Sequence, residues 1–171
     1  MSSVFAFQEL WSVSYVTTRN SCRAMAFNPA AGHLIIGNTT DTTMLVYDTT
    51  GQYVKNMSMG TTVFTGAQMP YDVDATPDGA IWALHYATGQ IYRWDNENAE
   101  PTLACSVGTT NIRGFKVIGS GANTLIYTVY AGNSTRSFIP VSASNYTTFQ
   151  LFEQFGDSAA GNWSVLASGD T

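Results

Sequence analysis

A short strand–turn unit recurs along this chain and constrains its fold more than any other feature. Between Pro70 and Asp95, three short apolar runs are separated by two turn signals, Pro77–Gly79 and Thr88–Gln90. The first run alternates apolar and polar residues, which is the period of a strand with one buried face. Two tight reversals between short strands predict an antiparallel meander.

The same unit occurs again before and after this stretch. Asp95 follows Asp48 by 47 residues, and Pro77 follows Pro29 by 48 residues, each pair at the same place in its unit. Four-stranded units repeating at such intervals are typical of propeller blades. A helical fold is disfavoured, because every segment with a helical apolar period is interrupted by Gly, Pro or a β-branched cluster. The sequence predicts an all-β, propeller-like fold with about three four-stranded antiparallel blades.

The 171 residues suit one domain, since a chain of this length can bury its own core. The predicted parts are an N-terminal strand in 1–21, blades at 22–69, 70–110 and 111–155, and a C-terminal strand in 156–171. Propellers close with typically four to eight blades. Three blades therefore leave two apolar faces uncovered, and the prediction is an incomplete propeller.

Several turn and strand sequences also resemble a known group of proteins. They are Met25–Leu34, Asp78–Trp82, Ile91–Ala104 and Gly119–Thr124. In the same order, these runs are similar to a family of secreted bacterial propeller-like proteins of unknown function, over about residues 22–130. The resemblance implies the fold only, because that family has no assigned catalytic residues.

The composition disfavours nucleic-acid binding and membrane insertion. The net charge is -5 and the seven Lys and Arg residues are scattered, whereas a nucleic-acid surface needs clustered basic residues. No apolar run approaches the roughly 20 residues of a membrane-spanning helix. The N-terminal sequence lacks a basic region and carries Glu9 among its apolar residues, so it is not predicted to be a signal peptide.

The candidate catalytic and metal-binding residues are few. Asp74–Gly79 resembles the first half of a calcium loop, but His85 stands where such a loop has its bidentate Glu. An Asp-Gly hairpin turn, with the strand acids facing solvent, is favoured, and Asp74 and Asp78 are only weak metal candidates. His33 and His85 are the only histidines, and no nucleophile motif accompanies them. We therefore predict no catalytic residue and no cofactor.

Aromatic, cysteine and asparagine residues leave further alternatives open. The four tryptophans, Trp11, Trp82, Trp94 and Trp163, are expected to pack between blades rather than to form a sugar-stacking platform. Cys22 and Cys105 permit one disulfide, but two buried free thiols are favoured. Five sequons are candidate glycosylation sites: Asn38, Asn56, Asn133, Asn145 and Asn162.

The N-terminal segment is predicted to mediate self-association. Its apolar residues are Phe5, Phe7, Leu10, Trp11, Val13 and Tyr15. The segment precedes the first repeat and has no hairpin partner before it, so we expect it to add to a sheet edge of another copy. A closed pairing then gives a dimer and an open pairing gives a filament. The alternative is that it folds back beside Trp163–Ala167 of the same chain.

Three functional hypotheses follow. The favoured one is a non-enzymatic, self-assembling structural protein of an extracellular assembly or a virion, since the chain is poor in charge and rich in Thr, Ser and Asn. The second is a carbohydrate-binding module formed by an oligomeric propeller. The third is a propeller-type hydrolase or lactonase with a central metal. The expected partners are thus other copies of the chain and, under the second hypothesis, glycans.

Overall fold

The computed structural model describes residues 11–12, 22–61, 69–106, 112–130, 135–139 and 150–154. Twelve strands within these residues form three antiparallel four-stranded sheets. The first sheet contains β1 (Cys22–Asn28), β2 (His33–Asn38), β3 (Thr43–Asp48) and β4 (Tyr53–Asn56). The second contains β5 (Asp72–Ala75), β6 (Ile81–His85), β7 (Gln90–Trp94) and β8 (Thr102–Ser106). The third contains β9 (Ile112–Ile118), β10 (Leu125–Tyr130), β11 (Thr135–Ile139) and β12 (Gln150–Gln154). The prediction of four-stranded antiparallel blades is confirmed.

Each sheet is a meander in which strands pair in the order of the chain. The reversals lie at the predicted turn signals. In the turn between β5 and β6, the Thr76 N–H donates to the Ala80 carbonyl and the Gly79 N–H donates to the Thr76 carbonyl, both at 2.9 Å. Gly79 has a φ of +90°, a conformation that favours glycine. The turn between β9 and β10 instead contains a short 3₁₀ segment, Gly121–Asn123.

The first strands of the three sheets lie side by side, β1 next to β5 and β5 next to β9. Each of these first strands is an edge strand of its own sheet, so one of its two edges pairs with no strand of that sheet. We call this the axial edge, since first strands packed around a common axis are the arrangement of propeller blades. The three sheets are referred to below as blades 1, 2 and 3.

Two apolar cores lie between the blades. Val46 and Ile35 of blade 1 pack with Ile81 and Trp94 of blade 2 in the first core. The second core packs the opposite face of blade 2 against blade 3 and contains Trp82, Leu84, Ile91, Phe115, Val117 and Ile126. Blade 2 is therefore covered on both faces, which explains why β6 is buried along its whole length.

Candidate functional site

Two carboxylates at the axial edge of blade 2 bind the backbone of blade 3. Asp72 Oδ2 accepts a hydrogen bond from the N–H of Phe115 at 2.9 Å. Asp74 Oδ2 accepts one from the N–H of Val117 at 2.6 Å. Both acceptors lie on β5 and both donors lie on β9, so these bonds hold the inner strands of the two blades together.

The second oxygen of each carboxylate binds the aspartates' own strand. Asp72 Oδ1 accepts the N–H of Val73 at 3.0 Å, and Asp74 Oδ1 accepts the N–H of Ala75 at 2.9 Å. Backbone donors at a sheet edge need a partner when they are removed from water. The two side chains thus satisfy four axial backbone donors, two on β5 and two on β9.

The electrostatic state of this pair follows from its burial. Removal from water raises the pKa of Asp72 to about 6, although the N–H groups of Phe115 and Val73 oppose the shift. Burial also raises the pKa of Asp74, opposed by the Val117 N–H and by Lys116. The Lys116 ammonium lies 3.3 Å from Asp74 Oδ1. The neutral form of each carboxyl is favoured relative to water, because desolvation penalises the charged form.

The acids of β5 therefore do not face solvent, and that prediction is wrong for Asp74, which is buried, and for Asp72, which is half-buried. Successive residues of β5 point alternately to a face that packs on blade 1 and to a face that packs on blade 3. The polar side of the alternation therefore meets a neighbouring blade and not water. Asp78 accepts a hydrogen bond from the Thr76 hydroxyl at 2.6 Å within the turn. Within the described residues, no three His, Cys, Asp or Glu side chains are grouped so that they could hold a metal ion.

A second polar contact joins blade 1 to the turn between β7 and β8. Glu97, which is buried, accepts a hydrogen bond from the Asn28 amide at 2.7 Å through Oε1. Its Oε2 lies 2.8 Å from Nδ1 of His33. His33 is thus placed in a contact between blades. His85, at the end of β6, is buried, and burial lowers its pKa.

The tryptophans that the structure describes in blade 2 belong to the cores. Trp82 is 1% exposed and Trp94 is fully buried, which confirms the expectation that they pack between blades. The Trp94 indole N–H donates to the carbonyl of Ser58 in blade 1 at 2.7 Å. Trp163 lies outside the described residues.

Both cysteines are free thiols. Cys105 is buried in the core between blades 2 and 3, as expected, and burial raises its pKa to about 12. The expectation of burial is wrong for Cys22, which is exposed. Cys22 is the first residue of β1, where the pairing with β2 shifts register before Ala24, so it lies outside the packed part of the blade.

Two of the five sequon asparagines lie within the described residues. Asn38 is buried and its amide donates to Asp41 at 2.9 Å. Asn56 is exposed at the end of β4 and accepts a hydrogen bond from the Tyr53 hydroxyl at 3.0 Å. Asn133, Asn145 and Asn162 lie outside the described residues.

Blade 1 has one face that blade 2 does not cover, which we call its outer face. Pro29 and Pro77 stand at the same place in the first turns of blades 1 and 2, and they lie 48 residues apart. By the same offset, Met25 of β1 corresponds to Val73 of β5, and Phe27 corresponds to Ala75. Val73 is 4% exposed because it packs on blade 1, whereas Met25 is 66% exposed and Phe27 is 51% exposed. Ala75 is partly buried against the same core as Val73, so these two register positions are covered in blade 2 and exposed in blade 1.

The outer face continues across all four strands of blade 1. One row of paired residues crosses it next to the turn between β3 and β4 and comprises Phe27, Leu34, Tyr47 and Tyr53. Tyr47 is buried in the middle of the row, with its ring edge-on to that of Tyr53 at a centroid distance of 5.8 Å. The open part of the face therefore lies at its two sides, on β1 and β4.

Trp11 is the only predicted self-association residue among those described. Its indole N–H donates to the carbonyl of Thr49 at 2.9 Å, in the turn between β3 and β4. Phe5, Phe7, Leu10, Val13 and Tyr15 lie outside the described residues. Trp11 thus lies against the turn between β3 and β4, which borders the outer face of blade 1.

Sequence reasoning missed the axial carboxylates and Glu97. A usable signal was the exchange of Ala24 and Ala26 in the first repeat for Asp72 and Asp74 in the second. An acid at a strand position that is apolar in the neighbouring repeat suggests a specific partner rather than solvent. Glu97 offered no such signal, because its neighbours Asn96 and Asn98 are typical of any polar turn.

Comparison with solved structures shows that this fold is of the β-propeller type. A streptogramin B lyase matches with a TM-score of 0.59 and 16% identity, over 84% of this chain and 44% of that chain. The hydrazine synthase of Kuenenia stuttgartiensis matches with a TM-score of 0.58 and 15% identity, over 77% and 37%. Virginiamycin B lyase from Staphylococcus aureus matches with a TM-score of 0.53 and 12% identity, over 86% and 49%.

The chain therefore spans less than half the length of each of these three structures. Their low sequence identity relates the fold and not the activity. No family model and no curated protein sequence matches the chain. Among the described residues, no helix is long and apolar enough to cross a membrane.

Proposed function

We propose that this chain is a non-enzymatic structural protein that self-associates through the outer face of blade 1. In this proposal it is a subunit of an extracellular filament or surface assembly, or of a virion. The supporting observation is the exposure of Met25 and Phe27 at register positions that are buried or partly buried against blade 1 in blade 2. Exposed apolar surface of this kind is typical of interaction sites.

A second copy of the chain is the proposed occupant of this face. The described residues form three four-stranded sheets, so two copies together supply six, which lies within the typically four to eight blades of a closed propeller. The chain also contains its own apolar N-terminal segment, which can reach a neighbouring copy. The proposed association between copies therefore requires only the outer face of blade 1 and the N-terminal segment, with no other partner.

The polar contacts support the non-enzymatic part of the proposal. Asp72 and Asp74 use their four carboxylate oxygens for backbone N–H groups, and Glu97 uses both of its oxygens for Asn28 and His33. A general acid or base must instead reach a substrate proton. These buried acids support contacts between blades.

A carbohydrate-binding module is the second candidate. The rings of Phe27 and Tyr53 are both exposed on the outer face of blade 1, and aromatic rings offer flat apolar surfaces for sugars. Binding of the purified protein on a glycan array, abolished by Phe27→Ala, would favour this candidate over self-association.

The mass of the full chain in solution tests the proposal. We expect light scattering after size-exclusion chromatography to give a multiple of the 18.5 kDa chain mass. Phe27→Asp places a charge on the outer face and should weaken association by at least about tenfold, because an unpaired charge is costly to bury. Leu103→Asp is the matched control, since Leu103 is 52% exposed on the outer strand of blade 2. A parent chain that stays monomeric at about 100 µM, a concentration at which association with a Kd of about 1 µM would be nearly complete, contradicts the proposal.

A further inference from the structure

The contact of Trp11 with blade 1 depends on a glycine. Gly51 has a φ of +83°, and a Cβ built on it would lie 2.7 Å from the Trp11 ring. Distances below 3.0 Å do not occur for real Cβ atoms, so the ring packs directly on the backbone of the turn. Together with the hydrogen bond to the Thr49 carbonyl, this contact fixes the indole at one place on the turn.

The equivalent turn of blade 2 has a contact at the same place. There, Glu97 between β7 and β8 is bound by Asn28 and His33 of the preceding blade. Blade 1 is the first blade described, and Trp11 contacts its turn between β3 and β4. Trp11 therefore occupies the position that a preceding blade occupies on blade 2.

The outer face of blade 1 begins at this turn. The row that comprises Phe27, Leu34, Tyr47 and Tyr53 lies directly beside it, since Tyr47 precedes Asp48 and Tyr53 follows Gln52. A segment that continues from Trp11 along the face meets exposed apolar side chains at Tyr53 and Phe27. From Trp11 to Tyr15 the sequence alternates apolar and polar side chains, as an extended segment on an apolar face requires.

We propose that Thr49, Gly51 and the outer face of blade 1 form a docking site for residues 5–17 of this chain. In the assembly, a neighbouring copy supplies this segment, a step that rests on the proposed function. The same contacts form whether the segment belongs to the same copy or to its neighbour, as in domain swapping. The ten residue-to-residue steps from Ser12 to Cys22 span about 33 Å when the chain is extended, which permits either connection.

The site is tested with a labelled peptide and the full-length chain. The peptide has the sequence of residues 3–17, and the receiving protein carries Trp11→Ala so that its own segment has lost its anchor. We expect saturable binding by fluorescence polarisation. A peptide with Trp11→Ala should bind at least about tenfold more weakly, because it lacks both the indole hydrogen bond and the ring contact with Gly51.

Two further variants of the Trp11→Ala chain test whether the peptide binds to the outer face of blade 1. Adding Phe27→Asp to the Trp11→Ala chain should abolish binding, whereas adding Leu103→Asp should leave it unchanged. Equal binding of both peptides, or binding that is insensitive to Phe27→Asp, overturns the docking site. If the variants carrying Phe27→Asp lose their far-ultraviolet circular dichroism spectrum, Tyr53→Asp serves in their place, since Tyr53 is exposed on the same face.

Failure of this inference can be distinguished from failure of the proposed function. If the parent chain is monomeric but the peptide binds as described, the docking site stands and the segment closes on its own copy. If the parent associates and the Trp11→Ala chain associates equally well, while no peptide binds, self-association stands and the docking site is wrong.

Discussion

At the scale of single residues, Trp82 is a large side chain buried between blade 2 and blade 3, so its removal tests how much this packing contributes to stability. Trp82 is 1% exposed, in the core that also contains Leu84 and Phe115. We expect Trp82→Ala to lower the free energy of unfolding by about 3–5 kcal/mol, through lost burial and a residual cavity. Denaturant unfolding measures this change. Leu103→Ala, at an exposed site, should change the free energy by less than about 0.5 kcal/mol.

Asp72 makes the contact between blades 2 and 3 dependent on pH. Burial raises the pKa of Asp72 from its ordinary value of 3.8 to about 6, so the folded state binds the proton of this carboxyl more tightly than the unfolded state does. The contribution of Asp72 to the free energy of unfolding is therefore fully present below pH 3.8 and is lost as the pH rises through 6. Between pH 7 and pH 5, the protection of the Phe115 amide against hydrogen exchange should rise by about tenfold after correction for the intrinsic rate.

The neutral variant Asp72→Asn should flatten this dependence on pH. Asp48→Asn is the control, because hydrogen bonds from Thr50 and Gln52 lower the pKa of the Asp48 carboxyl, the opposite direction to Asp72, and Asp48 lies on blade 1. Parallel pH profiles of the Phe115 amide in the parent and in Asp72→Asn would show that Asp72 does not govern the contact.

Single residues also differ in how well their burial could be predicted from the sequence. Core positions such as Trp82 and Trp94 could be predicted, since each lies within an apolar strand. Alternation along β5 does not predict the burial of Asp74, because it is the same whether the polar side of the strand meets water or another blade. Only the comparison with Ala26 in the first repeat carries a signal, and it does not identify the partner, which depends on the position of the next blade.

At the scale of strands and turns, Glu97 links blade 1 to blade 2. Removing its carboxylate leaves the buried Asn28 amide without its acceptor. We expect Glu97→Ala to lower the free energy of unfolding by about 1–3 kcal/mol, the cost of an unsatisfied buried donor. Glu100→Ala is the matched control in the same turn, because Glu100 is exposed and its carboxylate accepts the Ser58 hydroxyl at 2.7 Å. Similar melting temperatures of the two variants would contradict this role.

Strands and turns were the features that the sequence predicted best. Gly and Pro punctuation, as in Pro77–Gly79, is local, and local signals determine where a strand ends. The contact between Asn28 and Glu97 joins residues 69 positions apart. Its partners are ordinary turn residues in their own surroundings, so no local signal identifies them.

At the scale of the whole molecule, the repeat period predicted the propeller-like arrangement because each unit forms one sheet. The arrangement of first strands β1, β5 and β9 around an axis follows from stacking identical units in sequence. The occupant of the outer face of blade 1 could not be predicted in the same way. Under the docking proposal, the exposed Met25 and Phe27 are covered by a segment outside the repeats, about which the repeat period carries no information.

The bonds from Asp72 and Asp74 to β9 have a consequence for how such a protein can change over time. Their acceptors are side chains, but their donors are main-chain N–H groups of Phe115 and Val117. Every amino acid except proline carries that donor. The receiving strand can therefore drift in sequence, or be replaced by a duplicated unit, without losing these bonds. These two bonds place no requirement on the side chains of the neighbouring blade, so that the apolar core between the blades is left to select them.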